Sequence, residues 1–217
     1  MTTRLHHIHA SVVHAPLTLI PAAALVDLQA VRTRKRGHAR LGRTLWWYAV
    51  GSAAVAGVAG MAASQEVKTG TRTSQRAMWL HGSSNVGLLL GTIAMATWRQ
   101  RNRPTLRQTL LGLGGVALMG YSSWLGGVLV YEHGTGVSAM PRGARQGVSE
   151  SERVLSPKAP AVFVRDALRG AWWLVSKASS MLRDRPNLVR AAAGKTTEAP
   201  ASSSVGGVDE SQEYGWA

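Results

Sequence analysis

The chain has 217 residues, a mean hydropathy of −0.02, a formal charge of +14 and no cysteine. Without cysteine there are no disulfides, no Cys-ligated iron–sulfur clusters and no thiol catalysis. The basic surplus does not mark a nucleic-acid binder: fourteen of the 25 Lys/Arg sit before or between apolar runs, and the eleven after Glu132 are largely offset by eight acids.

Charge divides the chain. From Arg4 to Asp27, Arg43 to Glu66, Arg76 to Arg99 and Arg107 to Glu132 there is no Asp, Glu, Lys or Arg, leaving gaps of 22 to 24 residues. A helix needs about 20 apolar residues to cross a hydrocarbon core roughly 30 Å thick. Four such runs in succession predict an all-α, four-transmembrane-helix antiparallel bundle over residues 1–137, with spans at about 9–31, 44–64, 77–98 and 107–131.

Span one contains Pro16 and Pro21, which remove backbone donors and predict a kink near one end. Span two opens on Trp46, Trp47 and Tyr48, an aromatic belt, and continues through Ser52, Ala56 and Gly60, small residues that let another helix approach. Span three carries Trp79 and Trp98 near its ends; span four is rich in glycine and ends on Tyr131. Arg32, Arg34, Lys35, Arg36, Arg40 and Arg43 lie in one connection, and Arg99, Arg101, Arg103 and Arg107 in another. Short basic loops stay cytoplasmic, so the N-terminus, the 64–76 loop and the tail are expected on the outer side of the membrane. No cleaved signal peptide is expected, since Arg4 is a thin positive region and the first span holds His14 and Asp27.

Residues 138–217 form an extracytoplasmic tail. Segments 138–160 and 186–217, rich in Ser, Gly, Pro, Ala and charge, are expected to stay disordered. Between them Val164, Leu168, Ala171, Val175, Ala178 and Leu182 recur at helical spacing, opposite Arg165, Asp166, Arg169, Lys177, Arg183 and Asp184. This predicts an amphipathic helix over about 162–183, lying in the membrane interface or on a partner.

Histidines carry the functional signal. On this topology His6, His7, His9, His14, His81 and His133 all gather at the outer side, and only His38 is cytoplasmic. Counting 1.5 Å per residue puts His14 and His81 at matching depth, with His9 and His133 at the rim. Ionisable residues at membrane depth face the bundle interior and are site candidates. His14 and His81, with His9 and His133 as alternates, are therefore the candidate cofactor-binding set. Three roles stand: axial ligands to haem b, another metal or proton-linked role, or hydrogen bonding between helices. Asn85 and Ser11 are placed to orient His81 and His14. Asp27 is expected to pair with Arg43 or Arg107 at the cytoplasmic rim.

No Gly-x-Ser-x-Gly elbow, carboxylate pair or phosphate loop is present, so catalysis is not the expected role. The central stretches offer only small and apolar side chains, which disfavours transport. What remains is a haem- or redox-linked membrane module, or a non-catalytic scaffold whose amphipathic helix recruits a partner. The expected partners are the lipid bilayer and a membrane redox or scaffold protein, and no nucleic acid.

Residues Ser123 to Val137, reading SWLGGVLVYEHGTGV, are similar to the span-four signature of a bacterial four-helix membrane family, domain of unknown function 2231. His9 to Pro16 resembles that family's opening His-Pro-x-x-Val-His-Phe-Pro, with Ala10 and Ala15 in place of Pro and Phe, and His81 to Asn85 matches its third-span His-x-x-x-Asn. The resemblance implies the four-helix membrane fold and a place in a bacterial inner membrane. Some relatives carry a Rieske domain after span four, which implies electron transfer on the outer side; the tail here, lacking Cys, is expected to hold none.

Overall fold

The computed structural model describes residues 4–67, 71–135 and 153–193, which are almost entirely helical. The helices are α1 (His6–Val12), α2 (His14–Thr33), α3 (Arg36–Glu66), α4 (Arg72–Arg101), α5 (Leu106–Tyr131) and α6 (Ala159–Ala193). The chain divides into two compact units, residues 1–177 and 178–217. Within the second unit the described residues are the end of α6. Of the segments expected to be disordered, 138–152 and 194–217 lie outside the described residues, whereas 159–160 and 186–193 belong to α6, which is longer than the helix expected over about 162–183.

Proline sets the first break. Pro16 falls in the first turn of α2 and has no N–H to return to Val12, so α1 and α2 are separated at Val13 alone. Pro21 is carried inside α2. That helix ends on Arg34, whose left-handed φ of 54° lets its N–H close on Ala30 O at 2.9 Å. Lys35 is extended, and α3 begins at once. Thr71 caps α4 through a reciprocal box with Ser74, and Thr105 caps α5 by accepting from Gln108 N.

In the first unit α2 packs on α3 and α5, α3 on α4, and α4 on α5, closing a ring of contacts. Ile20, Ala23, Ala24, Trp46, Ala49, Leu88, Ala96 and Met119 make its core. Alanine dominates because small side chains allow helices to approach closely without a hydrophobic drive between them. Gly112 serves the same end: a Cβ there would lie 3.4 Å from the Trp46 ring and 3.6 Å from Ala24.

Polarity is distributed as it is in a lipid solvent. Asp27, Ser74, Thr92, Arg99, Gln108, Thr109 and Ser122 are buried, while Leu25, Val55, Leu90, Leu110, Leu111 and Trp124 are each more than half exposed. In water this exposed apolar surface would be costly; in a bilayer it meets acyl chains, and the polar groups must pair internally. Among the described residues three stretches are long and apolar enough to cross a membrane: His6–Thr33, Arg36–Glu66 and Leu106–Tyr131. The third predicted span falls in α4, which is 30 residues long but diluted by Arg72, Gln75, Arg76, His81, Ser83, Ser84 and Asn85.

Candidate functional site

The most polar buried constellation is built on Asp27. Its carboxylate accepts from Arg99 Nε (2.9 Å to Oδ2) and Arg99 Nη2 (3.0 Å to Oδ1), and from Trp46 Nε1 at 2.8 Å. Arg99 also donates to Ala39 O at 2.7 Å and to Asn102 O. Gly42 makes room for this, since a Cβ there would lie 2.2 Å from Asp27 Oδ1. Four elements are thereby tied at one level: α2, α3, α4 and the turn after α4. The partner expected from sequence was Arg43 or Arg107; the structure corrects it to Arg99, which α4 carries inward while Arg107 is exposed. Every guanidinium nitrogen has an acceptor, so the group is a structural clamp. Trp46→Phe removes one hydrogen bond to a buried charge and is expected to lower stability by about 1.5–3 kcal/mol, read as a fall in melting temperature of the detergent-solubilised protein.

At the other end the helices bring two histidines together. The His9 ring, from α1, and the His81 ring, from α4, have centroids 6.4 Å apart and planes at 82°. His9 Nδ1 is 3.0 Å from Ala56 O on α3, and His81 Nδ1 is 2.8 Å from Ser122 O on α5. A carbonyl only accepts, so each Nδ1 carries the proton and each Nε2 keeps its lone pair. Ser122 Oγ lies 3.2 Å from the same Nδ1 of His81. Asn85 Nδ2 lies 3.2 Å from His81 Nε2 and also donates to His81 O at 3.0 Å. Glycine flanks both rings: a Cβ on Gly60 would come 3.0 Å from His9 Cε1, and one on Gly126 3.2 Å from His81 Cε1.

The other predicted site residues lie elsewhere. His14 does not face His81; it is exposed, with Nδ1 3.3 Å from Ser11 O, while the Ser11 hydroxyl donates to His7 O instead. His133 is half-buried just past α5, where its main-chain N–H donates to Val128 O at 3.2 Å. His6 is buried against Glu66, Nδ1 to Oε2 at 3.4 Å, and stacks edge-on against His7. The structure therefore pairs His81 with His9, an alternate in the sequence reading. Ser122, Ala56, Gly60 and Gly126, which frame the pair, carried no chemical signal of their own. Gly126 lies within the span-four signature, and a glycine there is the one mark that something rests against the helix.

Helix α6 covers part of this end within the first unit. Its Gly170 sits on the main chain of α3, where a Cβ would meet Met61 O at 2.3 Å, and Leu174 lies against Gly82 of α4. Asp166 is buried and accepts from Arg165 Nε at 2.8 Å; that hydrogen bond raises the Arg165 guanidinium above its ordinary range. Val164, Leu168, Trp172 and Val175 point outward, each more than half exposed. The helix thus has an inward face of Asp166, Gly170 and Leu174 and an outward apolar stripe.

No curated protein and no solved structure matches the chain. One family model does, that of the predicted membrane proteins designated DUF2231, over residues 5–139, a stretch that holds α1 to α5 and all seven histidines. The chain belongs to that membrane family.

Proposed function

We propose that this protein is a four-span module of the bacterial inner membrane in which His9 and His81 hold one haem b, giving it a role in electron transfer at the outer face. The span added to the three long apolar stretches is α4, third in chain order. Its 30 residues reach about 45 Å, Leu90, Ile93 and Trp98 face outward, and its polar groups Ser74, Thr92 and Arg99 turn inward. Consecutive spans joined by short loops run antiparallel, and the basic turns at 32–43 and 99–107 put the histidine end outside.

The observation that carries the haem reading is the His9–His81 pair itself. Two imidazoles sharing one metal through Nε2, with bonds of about 2 Å, would have centroids roughly 5 to 6 Å apart, close to the 6.4 Å here. The carbonyls of Ala56 and Ser122 fix ring orientation and tautomer from behind, as partners of metal-bound histidine do. Ligation at His81 Nε2 exchanges the hydrogen bond from Asn85, whose amide keeps His81 O. Among the described residues no group of three or more His, Cys, Asp or Glu is placed to hold a metal. A bare ion wants about four ligands, whereas a porphyrin brings four nitrogens and needs two from the protein. Haem supplies reversible one-electron chemistry when bound.

The test is the absorption spectrum of the full-length protein purified from cells supplied with haem precursor. A Soret band and a dithionite-reduced α-band are expected, lost in His9→Ala and His81→Ala and kept in His14→Ala. A colourless preparation would sink the proposal, and so would colour that depends on His14 rather than His9.

A second reading rests on α6. Its outward stripe of Val164, Leu168, Trp172 and Val175 suits a scaffold that lies in the outer membrane interface and offers a surface to a partner.

A further inference from the structure

Between α4 and α5 a groove of about 710 Å³ opens on the side away from the histidine pair. It runs from Gly87 and Gly91 in mid-helix to Trp98 and Arg107 at the basic turn, and Leu88, Leu111 and Leu118 line it. Gly87 and Gly91 leave it open, for a Cβ at either position would meet nothing within 4 Å. From Gly87 to Trp98 the distance along α4 is roughly 16 Å at 1.5 Å per residue, close to half of a hydrocarbon core of about 30 Å. The groove is one leaflet long.

Its inner end is polar. Arg107 lines it beside the start of α5, where the helix dipole adds to the positive charge. Gln108 lines it too and is 7% exposed; its Nε2 donates to Met95 Sδ, while its buried Oε1 meets no hydrogen-bond donor among the described residues. A buried acceptor without a donor is costly, and here it lies beside a cation at the head of an acyl-length channel. We infer that this groove binds one anionic glycerophospholipid with a hydroxyl-bearing head group. One acyl chain lies along Leu88 and Gly91, the phosphate meets Arg107, and a head-group hydroxyl donates to Gln108 Oε1. Basic sites between spans on the cytoplasmic side commonly take anionic head groups. An isoprenoid quinone would leave Arg107 without an anion, and a second copy's helix would bring no anion to it either.

The inference rests on the membrane-spanning reading and not on haem. The test is native mass spectrometry of the full-length, delipidated protein titrated with dioleoyl-phosphatidylglycerol or dioleoyl-phosphatidylcholine. One phosphatidylglycerol adduct is expected, about tenfold tighter than phosphatidylcholine, as one charge-assisted contact implies. Gly91→Leu, which fills the groove, and Arg107→Gln should each weaken that adduct by about tenfold. Gly51→Leu, equally open but on α3, should leave it unchanged. Equal affinity for the two lipids overturns the inference, as does an adduct indifferent to both groove variants, or a protein dimer abolished by Gly91→Leu with no lipid preference. Release of the chain from membranes by carbonate without detergent would instead overturn the spanning reading.

Discussion

Asp27→Leu is expected to destabilise the protein by about 3–5 kcal/mol, because it strands a guanidinium in a buried site without its carboxylate. Both side chains of the pair are 2% exposed, and Arg99 grips both oxygens of Asp27. After the substitution Arg99 keeps only two main-chain acceptors, Ala39 O and Asn102 O, and Trp46 loses its acceptor as well. Solvent cannot make up the loss at that depth. Removing both members leaves no charge to compensate, so Asp27→Leu with Arg99→Leu should recover most of the stability. Thermal unfolding in detergent, followed by Trp fluorescence, measures the cycle. A loss below about 1 kcal/mol, the range of solvated pairs, would show that water reaches the clamp. A double variant no better than the single one would show that the stranded charge is not what costs.

The position of that clamp shows what sequence could and could not deliver. Charge gaps locate helices well, because excluding every ionised side chain for 22 residues or more has one dominant physical cause. Partners across the fold leave no such trace. Asp27 and Arg99 are 72 positions apart, and Arg43 and Arg107 flank apolar runs in the same way as Arg99 does. Only the rotation of α4, which turns Ser74, Leu88, Thr92 and Arg99 inward, selects among them.

The histidines make the same point through geometry. Counting residues gives depth, and depth alone put His14 level with His81. It says nothing of direction: at 3.6 residues per turn, five positions rotate a side chain by about 140°, so His9 and His14 cannot both face inward. The buried face of α2 carries Pro16, Ala23 and Ala30 at seven-residue spacing, and His9 is one step earlier in that series. Asp27, a carboxylate that had to be inside, marks the same face. The signal for His9 was therefore present, in the azimuth of residues that carry no chemistry. The break at Val13 does not disturb it, because Val13 keeps helical angles. The Ala56 and Ser122 carbonyls had no signal at all, since every residue has one.

The amphipathic tail helix was legible as a helix, yet the contact that holds its other face was not. Apolar periodicity names one stripe, which the sequence assigns to the membrane interface or a partner, and it says nothing of the opposite face. In α6 the stripe of Val164, Leu168, Trp172 and Val175 faces out, and the packed face is centred on a glycine. Close approach of two backbones, not burial of large side chains, holds α6 against α3. Gly170→Leu is therefore expected to lift it. The added side chain would start 2.3 Å from Met61 O and 2.8 Å from Met61 C, main-chain atoms that no rotamer change can move. Overpacking of this kind costs about 1–3 kcal/mol, and it falls on the local opening of α6, because the ring of α2 to α5 does not involve Gly170. The opened population should rise by about tenfold or more. Trypsin reports it through cleavage at Arg165 and Arg169, both exposed but protected while helical. Cleavage there should accelerate by the same factor, with the melting temperature of the remaining helices nearly unchanged. Val175→Ser, on the outward face, should leave cleavage in detergent unaffected. Unaltered proteolysis of Gly170→Leu would mean that α6 does not rest on Met61. A matching collapse of the whole protein would mean that α6 is an integral part of the fold and not a separable cover over the histidine end.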